Sequence, residues 1–203
     1  MILLLGPLSA CGPKNVDPGE QIKDIAAGKD KKAPENLPIV KSEEIAPSSD
    51  KALENYQELL ELPQDPATRA ETMRRLADLQ LESDEAGGAS FEQSEQRLRQ
   101  SIAMYTTLLK ENPDAPGNDR VLYQLSRAYQ NIGETAKAEA ALSRLTREFP
   151  QSEYGDDAHF RRAELLFRLG TFDQAADEYR YVLTLKEQSP FYQPAQYKYG
   201  WSL

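Results

Sequence analysis

Two of the residue types best able to do chemistry occur once each, Cys11 and His159. One thiol makes no disulfide, and a single Cys with a single His falls short of the ligand sets that hold zinc. His159 is therefore expected to be a surface or helix-start residue without a metal or catalytic role. Carboxylates are abundant, 33 Asp and Glu in 203 residues, so a nearby pair of them says nothing about acid–base work. There is no glycine-rich phosphate loop and no Gly-x-Ser-x-Gly elbow. The expectation is a chain without cofactor, metal or catalytic centre.

Composition narrows the partners. Charged residues make up 28% against 39% apolar, and the net charge is −9. A chain this acidic is a poor binder of nucleic acid, where affinity rests on Lys and Arg neutralising phosphates. No run of 18 or more apolar residues exists, so no transmembrane helix is expected.

The first eleven residues are a short apolar run closing on Leu8-Ser9-Ala10-Cys11. That ending resembles the lipobox of bacterial lipoproteins. The resemblance implies cleavage before Cys11, lipidation of its thiol and anchoring to a membrane. Gly12 follows the Cys where Asp would be the retention signal, which by the same resemblance implies sorting to the periplasmic side of the outer membrane. No Lys or Arg precedes the apolar run, so either the true start lies earlier or the N-terminus is trimmed. Residues 12–49 then read as a disordered tether. Pro13, Pro18, Pro34, Pro38 and Pro47 break any long helix, six Lys nearly cancel seven Asp and Glu, and aromatics are absent. As a flexible coil this tether would span roughly 30–35 Å root-mean-square.

From Ser49 the pattern turns helical. Residues 50–62 place Ala52, Leu53, Tyr56, Leu59 and Leu60 on one face, and Pro63 and Pro66 are expected to end that helix. Beyond it the chain matches itself at an offset of 37: Gly133 falls on Gly170, Ala138 on Ala175 and Pro113 on Pro150. Ser126, Ala163 and Gly200 form one column, and Tyr105, Leu142 and Tyr179 another. A fixed period of this size marks a helical solenoid. Small residues let paired helices approach, Gly133 and Gly170 suit the left-handed end of a helix, and Thr171 with Gln174 is expected to form a capping box.

These columns resemble the tetratricopeptide repeat (TPR). Repeat two supplies Leu125-Ser126, Tyr129, Gly133, Ala138, Leu142 and Pro150. Repeat three supplies Ala163, Leu166, Gly170, Ala175 and Tyr179, with Arg162 where Leu is usual. The expected fold is all-α, a TPR-like right-handed superhelical solenoid with repeats at about 67–115, 119–152 and 156–189 and a partial repeat at 193–203. Repeat one carries an acidic, Gly-rich insertion near Ser83–Ser90 between its helices. The usual TPR period is 34; three extra residues fall in each connector, at Pro116-Gly117-Asn118, Glu153-Tyr154-Gly155 and Pro190-Phe191-Tyr192. In style the repeats are similar to the BamD family of outer-membrane assembly lipoproteins and to the Tol–Pal-associated coordinator family.

The resemblance implies a concave face lined by the first helix of each repeat, where a partner segment binds. Its positions here are Arg120, Tyr123, Arg127 and Gln130, then Asp157, Phe160, Glu164, Phe167 and Arg168, then Tyr197 and Trp201. Phe160, Phe167 and Tyr197 could equally be packing between repeats, and Arg127 and Glu164 solvated ion pairs. The chain charge of −9 less −1 for the tether leaves −8 on the body, which favours basic partner segments. The implied function is a lipid-anchored, non-enzymatic scaffold binding an envelope protein or peptide. The alternative is the helical accessory region of a larger, lytic-transglycosylase-like cell-wall enzyme whose catalytic domain lies beyond Leu203. Because residues 193–203 repeat only the start of a hairpin, further repeats or end-to-end self-association are expected to cover that end.

Overall fold

The computed structural model describes residues 49–87 and 90–203. Cys11 and the 12–48 segment lie outside the described residues. Among the described residues eight α-helices follow one another: α1 (Ser49–Glu61), α2 (Pro66–Ala86), α3 (Phe91–Glu111), α4 (Asn118–Asn131), α5 (Thr135–Glu148), α6 (Gly155–Arg168), α7 (Phe172–Thr184) and, after a 3₁₀ turn at Lys186–Gln188, α8 (Tyr192–Ser202). No strand occurs among the described residues. Each helix packs chiefly on the next in sequence, and α2 also touches α4. The result is an all-α solenoid of hairpins, with α2/α3, α4/α5 and α6/α7 as the pairs. No described helix is long and apolar enough to cross a membrane.

The period of 37 is a packing period. Ser126 and Ala163 are fully buried, as are Ala138 and Ala175 across from them, so the two helices of each hairpin meet on small side chains. Tyr105, Leu142 and Tyr179 are buried in step, and so are Leu108, Leu145 and Val182. Gly133 and Gly170 turn between the hairpin helices at φ of 78° and 77°. A Cβ at either would meet nothing within 4 Å, so the backbone angle and not crowding makes them glycine. Gly200, in the same column as Ser126 and Ala163, is exposed.

Three local expectations need correction. Pro66 opens α2 instead of ending α1: it occupies the first turn, where a missing N–H costs nothing, and Asp65 caps it by accepting from the backbone of Ala67 and Thr68. The acidic stretch is not all insertion, because Ser83 to Ala86 continue α2 and the chain turns only at Gly87. Thr171 and Gln174 form no capping box; the Thr171 hydroxyl donates to the Leu166 carbonyl, 3.0 Å away, satisfying the end of α6 instead. The capping box that does form is Ser90 with Gln93, at the start of α3.

The connectors hold the clearest reason for the long period. Tyr154 lies stacked on Tyr123 of the preceding hairpin, with centroids 4.8 Å apart and rings at 23°. Phe191 lies on Phe160 in the same way, at 5.1 Å and 18°. Both members of the second pair sit 37 residues after those of the first. The extra connector residues thus carry a ring back onto the first helix of the hairpin just completed.

The tight hairpin seam gives a stability test. Ala175→Leu puts three more carbons into a fully buried contact and should cost about 1–3 kcal/mol. Hydrogen exchange should accelerate most in α6 and α7, then in their neighbours, because solenoid stability is a nearest-neighbour quantity. Uniform or absent acceleration would contradict the seam.

Candidate functional site

Helices α2, α4, α6 and α8 are joined along one face by polar contacts. The expected groove positions are Arg120, Tyr123, Arg127 and Gln130 of α4, Asp157, Phe160, Glu164, Phe167 and Arg168 of α6, and Tyr197 and Trp201 of α8. Most of these side chains are tied to the neighbouring hairpin. Arg120 reaches Asp78 of α2 at 2.8 Å. Arg127 pairs with Glu85 of α2, seven residues further along both helices. The Tyr123 hydroxyl donates to Asp157, and Lys198 Nζ donates to Glu164 at 3.0 Å. The face is a ladder in which each helix hands a polar contact to the next.

The sequence places these residues on one face but not in these pairs. The partners are 34 apart between the later hairpins and 42 apart between the first two, so neither spacing equals the 37-residue repeat. Adjacent helices are staggered by three residues, just under a turn, and that offset exists only once the helices are packed. Asp78, Glu85 and Lys198 were for the same reason not among the expected groove residues.

The anchor of the ladder is buried. Asp78 retains 6% of its side-chain exposure and accepts from the Tyr105 hydroxyl at 2.6 Å as well as from Arg120, with Arg74 3.9 Å away. Burial first, and then the Asp78 carboxylate, push the Tyr105 phenol far above its ordinary range. Tyr179 is pushed up likewise, by burial and by its hydrogen bond to Glu164. Tyr123 is raised by burial and by Asp157. Among the described residues no buried side-chain nitrogen or oxygen lacks a partner.

Two of the aromatics are structural. Phe160 stacks on Phe191 and meets the edge of Tyr179, with centroids 6.0 Å apart. Phe167 meets Phe172 edge-on at 5.0 Å, and Lys198 lies over its ring. Arg127 and Glu164 are ion-paired. Gln130 turns back to its own helix, donating to the Ser126 carbonyl. Left open to a partner are Arg168, which is exposed and makes no ion pair among the described residues, and the rings of Tyr197 and Trp201, each 65% exposed. Those two rings touch each other at 5.9 Å. The accessible part of the face is therefore its α6/α8 end, aromatic with a cationic edge.

His159 is not the lone surface residue expected. Its Nδ1 lies 2.6 Å from Glu178, and its ring stacks on Tyr181 at 3.7 Å. Arg162 bridges Glu178 and Glu139, the latter at 2.7 Å. Among the described residues no cluster of His, Cys, Asp and Glu could hold a metal ion.

With this geometry in view, the comparisons with known proteins are consistent. Residues 93–156 match the tetratricopeptide repeat family model. The fold superposes on a crystal structure of MamA with a TM-score of 0.57 at 18% identity, covering 76% of each chain. A thermophilic TPR protein of Thermus thermophilus gives 0.53 at 21% identity, over 76% of this chain and 72% of that one. TPR-like repeats of a putative kinesin light chain from Podosopora anserina give 0.55 at 15% identity, over 76% and 77%. At these identities the likeness establishes the fold, a TPR solenoid. No curated protein resembles the sequence closely enough to count as a relative.

The buried anchor has a pH signature. A phenol whose folded pKa lies above its unfolded value of about 10 contributes stability that is intact below that pH and lost as pH rises past it, because only the unfolded chain releases the proton. Tyr105 and Tyr179 should therefore ionise only with cooperative unfolding above about pH 10, seen as a late, steep step in tyrosinate absorbance that coincides with loss of helix. At neutral pH, Tyr105→Phe should cost about 0.5–1.5 kcal/mol, and Asp78→Ala about 1–3 kcal/mol, since the latter strands a buried hydroxyl. Urea unfolding that ranks the two in the opposite order would refute the assignment of Asp78 as anchor.

Proposed function

We propose that this chain is a non-enzymatic protein–protein interaction scaffold of the bacterial envelope, lipid-anchored through Cys11 on the periplasmic side of the outer membrane. The observation that carries the scaffold reading is the α6/α8 end of the concave face, where Arg168, Tyr197 and Trp201 lie open while the rest of the ladder is satisfied internally. Arg and aromatic side chains in such a setting are the types that anchor partner segments. TPR solenoids serve as platforms of this kind. The partner is a peptide segment of another envelope protein, and the charge of −8 on the body favours one with basic residues outside the anchor. The anchoring rests on Leu8-Ser9-Ala10-Cys11 and on the proline-rich segment behind it. A diacylglyceryl group attached there, with a further acyl chain, would hold the protein to a membrane where a single chain would not.

Two experiments test the two halves. Metabolic labelling with a fatty-acid probe, expressed from the natural start codon, should mark the wild type and leave Cys11→Ser unmarked. Equal labelling, or a wild type found free of membranes, would remove the address. A photo-crosslinking residue placed at Arg168 or Trp201 in living cells should capture a discrete partner, and one placed at exposed Glu92 should not. Capture at Glu92 alone would remove the concave face as the binding site.

A further inference from the structure

Half a turn around α4 from Arg120, Tyr123 and Arg127, a second surface opens between α3, α4 and α5. It is a groove of about 510 Å³. Its floor is apolar, made by Leu109, Leu122, Leu125 and Ala141, and Tyr129 walls one side. Three cations stand on its rim: Lys110 on α3, and Lys137 and Arg144 on α5. Lys110 has no ion pair among the described residues. Lys137 pairs with Glu134 at 3.4 Å and lies over the Tyr129 ring, 5.8 Å from its centroid, and Arg144 pairs with Glu148 at 2.7 Å; surface ion pairs of that kind hold their members weakly.

The next hairpin supplies an internal comparison. At the 37-residue offset, Ile102, Leu122, Leu125 and Ala141 become Glu139, His159, Arg162 and Glu178. Four apolar positions have turned into one polar quartet, and that quartet fills the crevice between α5, α6 and α7 with its own hydrogen bonds. Arg144 becomes Tyr181, which covers the His159 ring. The same place in the fold is thus plugged by the chain's own side chains in one hairpin, and left as an apolar trough under cations in the other.

We propose that the α3/α4/α5 groove is a docking site for an acidic peptide segment of a partner protein, which seats one bulky apolar side chain on Leu122 and Leu125 and sets carboxylates against Lys110, Lys137 and Arg144. Charge complementarity selects the occupant: in a chain of net charge −9, this trough is rimmed by cations. Spacing selects a peptide over a fatty acid. Lys137 and Arg144 are seven residues, about 10 Å, apart along α5, and Lys110 faces them from α3. One carboxylate head cannot meet three cations so placed, whereas successive Asp and Glu residues can.

The proposal is independent of the concave face and of the lipid anchor. Its test uses the full 203-residue chain and a fluorescein-labelled peptide, Asp-Glu-Leu-Phe-Asp-Glu, with a second peptide bearing Lys at each acidic position and a third with Leu-Phe replaced by Ser-Ser. The acidic peptide should bind and shift the methyl resonances of Leu109, Leu125 and Ala141. Both control peptides should bind at least about tenfold more weakly, a difference of 1.4 kcal/mol. Combined Lys110→Glu, Lys137→Glu and Arg144→Glu should abolish binding while the helical circular dichroism is kept, and Ala140→Glu, at an exposed position on the groove edge, should weaken it. Four results would overturn the idea: no binding of the acidic peptide, equal binding of the basic one, shifts confined to Phe167 and Trp201, or displacement by palmitate at equal concentration.

Discussion

The stacking of a connector ring on the first helix of the hairpin just completed sets the form of the later repeats. Tyr154 on Tyr123 and Phe191 on Phe160 each join the first helix of one hairpin to the start of the next. A connector long enough to bring its ring back is three residues longer than the usual one, and those residues fix where the following helix starts. An offset stack of this kind contributes about 0.5–1.5 kcal/mol beyond the area it buries, modest beside the whole core. Its importance lies in geometry. It holds one hairpin against the next at an aromatic contact whose plane and spacing are nearly the same twice over, 4.8 and 5.1 Å.

The polar ladder follows from that placement. Once α4, α6 and α8 are held with a lag of three residues, Tyr123 meets Asp157 and Glu164 meets Lys198. The first hairpin, whose helices are 21 residues long instead of 13 or 14, keeps the same pairing at the larger separation of 42. Its extra turns are joined by side-chain hydrogen bonds. Arg97 donates to Ser83, Ser101 to Gln80, and Gln80 to Gln100. The protein therefore changes from an apolar seam threaded with buried Asp78, Gln80 and Ser101 in its first hairpin, to a more apolar one in its second, to a charged one on the outer side of its third.

Much of the fold could be read from residue columns, because buried small residues and left-handed glycines leave marks at fixed spacing. Ala138 and Ala175, or Gly133 and Gly170, announce hairpins wherever they recur. Asp65-Pro66 was equally visible, yet a proline after a helix invites reading as a stop; only the Asp before it distinguishes a cap from a terminus. The acidic run 83–86 misled because Gly87 ends it, although Glu and Ala are good helix formers. The face joined by these contacts was visible as a column of positions and illegible as a set of bonds. Periodicity reports which residues share a face, and the stagger between two packed helices is a tertiary quantity. His159 shows the limit from another side, since its partners Glu178 and Tyr181 lie on a different helix and nothing local links them to it.

The repeated ring contact also constrains how such a chain can have grown. Each stack takes one ring from a helix and the other from the connector that leaves its hairpin. A duplicated block of 37 residues that begins after one connector and ends after the next carries a complete pair. A block cut between Tyr123 and Tyr154 divides the pair, and both junctions recover a ring contact only if the flanking repeats already match. The genetic unit of lengthening or shortening is then the hairpin with its trailing connector. Boundaries for recombining this solenoid with another belong just after Tyr154 or Phe191, where no stacked pair is broken.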